Sequence, residues 1–143
     1  MMSSTTTRLY DALINADSID TYLDDNAASL EACIVLGDYL KEKQALNGLS
    51  CTELFSRSDI NPSYGYQLLN GTRVPSRDTA IQLAFGLSLS LDETQRMLRL
   101  AKVGALYPRD RRDSVIIFCI KERYTLNETN TELNAHGFAL LKK

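Results

Sequence analysis

The side chains that most often carry enzyme chemistry are few in this sequence and lie far apart. Its three cysteines, Cys33, Cys51 and Cys119, include no CxxC pair, so neither a zinc knuckle nor a disulfide framework is indicated. The one histidine, His136, has neither cysteines nor paired carboxylates nearby, which favours a structural or solvated side chain. No Walker loop, GxGxxG, GxSxG or HExxH motif occurs. We therefore expect no enzyme activity, no cofactor and no metal site.

Arginine is the other side chain with an evident chemical use, because its planar guanidinium binds phosphate or carboxylate through two hydrogen bonds at once. The net charge of the chain is −2, but the charges are unevenly spread. Residues 1–50 carry eight acidic against three basic residues, whereas residues 51–112 carry nine basic against six acidic residues. Arg109, Arg111 and Arg112 form a cluster that is either a solvated charge run or a contact for a phosphate or an acidic partner.

Length and composition fit one globular domain of 143 residues with a hydrophobic fraction of 44%. The longest nearly apolar run, from Ser114 to Ile120, is far shorter than the roughly 20 residues of a membrane span. The first residues lack the apolar core of a signal peptide. We expect a cytoplasmic protein with no membrane partner.

Helix signals recur along the chain and strand signals are nearly absent, which predicts an all-α fold. Ser50, Ser90 and Thr125 each precede a glutamate by three residues, which is the pattern of a capping box at a helix start. Asn61 followed by Pro62 predicts a fourth helix start, with a capping side chain and a proline in the first turn.

The same signals divide the chain into three parts. Residues 1–28 form an acidic segment that we expect to be partly helical. Residues 29–104 form a helical domain, whose first long helix starts at Ser29 and ends at Gly48. Residues 105–143 form a C-terminal helical hairpin that packs on this domain.

The second half of the sequence repeats at an offset of 35 residues. Arg77 and Asp78 correspond to Arg112 and Asp113, and the capping and apolar positions that follow also correspond. Such a repeat predicts two similar helical hairpins that share one core. We expect each arginine to form a local ion pair with the aspartate beside it at the start of its helix.

The most informative stretch is residues 49–73, with the sequence LSCTELFSRSDINPSYGYQLLNGTR. It predicts a capped helix over about 51–57, a three-residue turn at 59–61, and a second helix over about 62–70 that Gly71 ends. Two short helices joined by so tight a turn are typical of a helix-turn-helix.

This stretch resembles the phage-repressor-like (Xre/Cro type) DNA-binding family. The resemblance covers about residues 29–103 and rests on Glu53-Leu54, Ile60, Ser63-Tyr64, Gln67-Leu68 and Asn70-Gly71-Thr72-Arg73. It implies a bacterial or phage source and double-stranded DNA as the partner. It also implies a homodimer in many members, because paired half-sites suit two-fold symmetry.

The resemblance implies that the leading turns of the second helix face the bases in a major groove. Gln67 would then pair with adenine through two hydrogen bonds, and Arg73, just beyond the helix, would hold a phosphate. Tyr66 is expected at the surface, and Tyr64 is expected in the core with its hydroxyl at the surface. The full set of DNA contacts implied is Thr52, Asn61, Ser63, Tyr66, Gln67, Asn70 and Arg73.

Four positions depart from the family pattern. Cys51 replaces a usual glutamine, Phe55 a small residue, Asp59 a turn glycine, and Gly65 a branched aliphatic residue. Because positions 55 and 65 face each other in that fold, we expect the Phe55 ring to fill the space that Gly65 leaves. Asp59 adopts the left-handed turn conformation more readily than most residues.

We interpret the chain as a sequence-specific DNA-binding transcriptional regulator that acts through a helix-turn-helix. The main alternative is a non-enzymatic interaction module, an adaptor or inhibitor that binds a protein partner through the same helices. The second helix has no lysine or arginine, so we expect weak non-specific DNA binding in either case.

Overall fold

The computed structural model describes residues 36–142, together with the single residue Ile14, which is helical and exposed. Residues 36–142 form seven helices and contain no strand, so the predicted all-α fold is confirmed. The helices are α1 (Leu36–Leu46), α2 (Cys51–Ser58), α3 (Pro62–Leu69), α4 (Arg77–Gly86), α5 (Leu91–Leu100), α6 (Arg111–Lys121) and α7 (Leu126–Ala135). The predictions for the acidic segment 1–28 and for a helix start at Ser29 lie outside these residues.

The helices begin where the capping signals place them. Ser50, Ser90 and Thr125 cap α2, α5 and α7, and each accepts a hydrogen bond from the backbone N–H of the glutamate three residues later. That glutamate in turn accepts a hydrogen bond from the backbone N–H of the capping residue. Asn61 caps α3 by accepting from the Ser63 N–H at 2.9 Å. The apolar run up to Ile120, which could pass for a strand, lies within α6.

Helix α4 lies at the centre of the described fold. Every residue from Thr79 to Gly86 is buried, with α2, α5 and α7 packed around it. The contact with α2 is close, because a Cβ atom at Gly86 would overlap the Ser58 hydroxyl. Gln82 also donates from Nε2 to the Ser58 carbonyl at 2.9 Å. None of the helices in residues 36–142 is long and apolar enough to cross a membrane.

The 35-residue repeat appears as two helical hairpins, α4–α5 and α6–α7. Helices α4 and α6 end 35 residues apart, and α5 and α7 match at both ends. Only the start of α6 lies one residue earlier than the offset gives, because Asp110 caps it. Ser88 and Arg123, the equivalent residues after α4 and α6, both have a positive φ, 54° and 61°.

The two hairpins contact each other reciprocally. Helix α4 contacts α7, and its equivalent α6 contacts α5, the equivalent of α7. Exchanging the hairpins therefore preserves the pattern of contacts, as in a two-fold symmetric dimer. We refer to this relation as the local two-fold.

The arginine–aspartate pairs cross between the hairpins, so the prediction of local pairs is wrong. Arg77 donates from Nη1 and Nη2 to the two carboxylate oxygens of Asp113, at 2.9 and 2.7 Å. Arg112 binds Asp78 in the same way, at 2.9 and 3.0 Å. Adjacent residues of a helix point in different directions, whereas the local two-fold brings each arginine to the opposite aspartate. We call these four residues the clasp.

Each arginine of the clasp also fastens the end of its own hairpin. Arg77 donates to the backbone carbonyls of Gly104 and Ala105, which follow α5. Arg112 donates to the carbonyls 35 residues further on, those of Ala139 and Leu140. The clasp therefore joins the starts of α4 and α6 to the segments that leave α5 and α7.

Phe55 packs against Gly65, as predicted. The ring is buried between α2 and α3, and a Cβ atom at Gly65 would overlap it. Tyr66 holds the ring from another side, in an edge-on contact with 5.1 Å between the ring centroids. The aromatic ring thus occupies the space that a larger residue at position 65 would need.

We expect Gly65→Val to lower the free energy of unfolding by about 1–3 kcal/mol, because the new side chain overpacks the Phe55 site. Chemical denaturation monitored by circular dichroism measures the effect. In the background of Phe55→Ala the same change should cost less, since the space is then open. A variant as stable as the wild type would contradict the packing account.

Candidate nucleic-acid interface

Helices α2 and α3 are joined by three residues, Asp59, Ile60 and Asn61, and are anchored in the core. Asp59 ends α2 in the left-handed conformation at φ 54°, as predicted. Ile60 in the turn and Leu54 of α2 are buried, as are Leu68 and Leu69 of α3. The inner faces of both helices are therefore fixed, and their outer faces are held in a defined orientation.

All seven residues predicted to contact DNA are exposed. Four of them, Ser63, Tyr66, Gln67 and Asn70, follow the spacing i, i+3, i+4, i+7 and so share one face of α3 and its C-cap. We call these four residues the α3 stripe. Thr52 lies in the first turn of α2, Asn61 caps α3, and Arg73 follows the end of α3.

Some of these side chains already have a structural contact. The side-chain oxygen of Asn61 accepts the capping hydrogen bond of α3. Only the side-chain NH₂ group of Asn61 therefore remains for a ligand. Tyr66 is 50% exposed although it packs on Phe55. Gln67 and Asn70 are exposed, and their amides present both donors and acceptors to the surroundings.

Thr52 lies beside an acidic group. Glu53 accepts a hydrogen bond from the Ser50 backbone N–H at 3.2 Å, and this bond holds the pKa of the carboxyl below its usual value. The carboxylate therefore supplies a negative charge at the N-terminus of α2, where a phosphate would otherwise be attracted. A phosphate contact by Thr52 would have to be made in the presence of that charge.

The charges around the α3 stripe are few and mixed in sign. Residues 62–69 contain no lysine, arginine or acidic residue. Arg73 lies with its guanidinium carbon 6.0 Å from the centroid of the Tyr64 ring, which is half-buried. Arg57 donates from Nη2 to the Ser88 hydroxyl at 2.6 Å. The surface presents hydrogen-bonding groups rather than a strong positive field.

Sequence reasoning missed the contact between Tyr64 and Arg73. Tyr64 is half-buried, and its ring supports the arginine through a cation–π contact. The eight residues between them include the non-helical segment after α3, so no periodic spacing signals the contact. The Arg73 guanidinium is thereby held against a residue of the first turn of α3.

The arginine cluster at 109–112 does not act as one unit. Arg112 belongs to the clasp, where it binds Asp78. Arg109 and Arg111 are exposed. Two cations therefore remain for contacts at the surface.

Within residues 36–142, no group of three histidine, cysteine or acidic side chains is placed to hold a metal ion. His136 is exposed, with Nδ1 2.8 Å from the Glu132 carbonyl oxygen. A cavity of about 50 Å³ lies between the hairpins beside Phe85 and Arg123. It is far smaller than the pockets of several hundred Å³ that hold cofactors.

In comparisons with protein-family models, with curated proteins and with solved structures, nothing matches this chain.

Proposed function

We propose that this protein binds double-stranded DNA at specific sequences and regulates transcription, with α2 and α3 acting as a helix-turn-helix. The observation that carries the proposal is the α3 stripe. Its hydrogen-bonding side chains project from a helix whose opposite face is locked into the core. The major groove of DNA admits one α-helix, and a rigid helix with such a face can read base edges there.

The proposed roles follow from the chemistry of the side chains. The Gln67 amide has the paired donor and acceptor that match adenine, and Ser63 and Asn70 can reach base edges on the same face. The Tyr66 ring, half exposed, can contact a thymine methyl group or a sugar. Arg73 would bind a phosphate, a role supported by its exposed position beyond the end of the helix.

The charge distribution favours specific over non-specific binding. Non-specific affinity comes almost wholly from phosphate contacts by lysine and arginine. Arg73 is the one cation among the seven proposed contacts, and Glu53 beside Thr52 opposes it. Affinity would therefore depend on the base contacts of the α3 stripe, and it would be sensitive to sequence.

A protein-interaction module is the second candidate, and the uncharged α3 stripe favours it. Tyr66 is 50% exposed, and Val74, which follows Arg73, is 71% exposed. Aromatic residues are enriched where proteins bind each other, and charged residues are depleted at the centres of such contacts. In this alternative the protein is an adaptor or an inhibitor, and the same helices form the surface that binds its protein partner.

We expect Gln67→Ala to weaken binding to the preferred duplex by about 1–3 kcal/mol and to relax base choice at one position. Arg73→Ala should weaken binding to all duplexes alike and lower the salt slope by about one. Site selection from a random duplex library, followed by titration at several salt concentrations, measures both effects.

Arg99→Ala is the matched control, because Arg99 is also exposed but lies on α5. It should leave both the preferred sequence and the salt slope unchanged. Recovery of no enriched sequence, together with no salt-dependent binding at low ionic strength, would reject DNA binding and favour the interaction module.

A further inference from the structure

The local two-fold pairs a covered helix with a partly bare one. On α4 and its C-cap, Ala80, Leu83 and Leu87 are all buried, and Leu83 is 1% exposed. The residue equivalent to Leu83 on α6 is Phe118, which is 47% exposed. The side of α6 that carries Phe118 is therefore bare within the part of the chain that the structure describes, whereas the equivalent side of α4 is buried.

Four residues form a line along this bare side of α6. Arg111, Val115, Phe118 and Glu122 are spaced by four, three and four residues, so they lie above one another on successive turns. Arg111, Phe118 and Glu122 are exposed, and Val115 is half-buried. We call this line the α6 stripe.

The α6 stripe is held in shape by its surroundings. Asp110 caps α6 and thereby fixes the helix turn that carries Arg111. The Phe118 ring is supported edge-on by Tyr124, with 6.2 Å between the centroids. An aromatic side chain that is held in place loses little conformational freedom when another surface covers it.

The α6 stripe is complementary in charge and in apolar surface to a second copy of itself that runs in the opposite direction. An antiparallel copy places Glu122 opposite Arg111 and Phe118 opposite Val115, because the spacing is four residues at either end. A single two-fold axis between Ile116 and Ile117 makes each of these contacts twice. A two-fold contact requires this kind of self-complementary surface.

We propose that two copies of this chain form a homodimer through antiparallel packing of their α6 stripes. Each Phe118 ring would cover the Val115 side chain of the other copy, and each Arg111 would pair with the Glu122 of the other copy. This inference does not rest on DNA binding, since no residue of the α6 stripe belongs to the proposed DNA contacts.

The charged ends of the stripe are available for such pairs. Arg111 has no ion pair with any residue of 36–142. Glu122 lies 3.3 Å from Lys121, but both side chains are exposed, and an exposed pair of this kind holds its members weakly. Lys121 also lies over the Phe118 ring, with Nζ 4.9 Å from its centroid.

A charge swap tests the geometry. In sedimentation equilibrium with the full chain, Arg111→Glu alone and Glu122→Arg alone should each weaken dimerisation by a factor of roughly ten or more, because two attractive pairs become repulsive. The double variant Arg111→Glu/Glu122→Arg should restore the wild-type constant. Both changes suit the helix dipole, with an acid at the start of α6 and a base at its end, so α6 should remain helical.

Phe118→Glu tests the apolar centre of the stripe. It should weaken dimerisation by a factor of roughly one hundred, since it places a charge against Val115 of each partner. Val74→Glu is the matched control, because Val74 is at least as exposed but lies outside α6. A chain that is monomeric at all concentrations, a dimer that withstands Phe118→Glu, or a double variant that is not restored would each overturn the proposal.

Discussion

Replacing Asp113 by alanine should lower the free energy of unfolding by about 2–3 kcal/mol, because a buried carboxylate loses its hydrogen bonds while the side chain of its partner Arg77, which is 31% exposed, regains water. Asp113 is 3% exposed and accepts two hydrogen bonds from Arg77 and a third from the Tyr107 backbone N–H, at 3.0 Å. Without the carboxylate, the guanidinium and this N–H lose their partner together. Urea unfolding of the variant measures the loss.

Asp78→Ala is the matched control, because Asp78 accepts the two equivalent hydrogen bonds from Arg112 in the other half of the clasp. Its side chain is 36% exposed, and the side chain of its partner Arg112 is 21% exposed. Solvent screens such a pair, so we expect a cost of about 1 kcal/mol or less. Equal losses for the two variants would show that burial does not govern the strength of the clasp.

The pH dependence provides a second check on Asp113. Burial disfavours the charged form, but the hydrogen bonds from Arg77 and Tyr107 and the nearby guanidinium charges outweigh it, so the pKa of the carboxyl lies below its usual value. A carboxyl whose pKa is lowered by folding stabilises the protein fully above its unfolded pKa of about 3.9. This contribution is lost as the pH falls through the folded pKa. The stability difference between wild type and Asp113→Ala should therefore shrink below about pH 4.

Local signals made much of the fold predictable. The capping boxes at Ser50, Ser90 and Thr125 give the starts of α2, α5 and α7, because a cap is decided by residues within one turn. The turn at Asp59 was predictable for the same reason. The internal repeat then gave the second hairpin from the first.

The crossing of the clasp could not be predicted in this way. Arg77 and Asp78 are neighbours in sequence, and nothing in that adjacency indicates a partner in the other hairpin. The pairing follows from the packing of the hairpins around their local two-fold, which is a tertiary property. The repeat predicts the helices of each hairpin, but it does not predict how the two hairpins pack against each other.

The candidate DNA contacts were predictable only as far as their positions. The spacing of Ser63, Gln67 and Asn70 gives one helix face, and the structure exposes it. The acidic cap beside Thr52 and the support of Arg73 by Tyr64 depend on side-chain placement. These two features decide the local charge. The strength of the proposed DNA contacts could therefore not be predicted from the spacing of the residues in the sequence.

The ends of the two hairpins share a feature that the sequence conceals. The Gln95 side chain donates to the Leu106 carbonyl at 2.9 Å and accepts from the Leu106 N–H at 2.7 Å. Asn130 holds Leu141 through the same two bonds, at 2.9 and 2.7 Å. Glutamine and asparagine differ in length, so the equivalence is visible only when the backbone position is known. Leu106 and Leu141 are both buried in the core.

Leu141→Ala should therefore lower the free energy of unfolding by about 2–5 kcal/mol, as expected for a leucine that is 0% exposed. Leu106→Ala, the matched variant in the first hairpin, should cost a similar amount, because its backbone is held by the same kind of side-chain clamp. Thermal and urea unfolding compare the two directly. If Leu141→Ala costs less than about 1 kcal/mol while Leu106→Ala costs several, the end of the second hairpin does not belong to the cooperative core. If the two variants lose the same unfolding free energy, the two hairpins are equivalent in stability as well as in helix boundaries, because the same buried leucine contact then closes each of them.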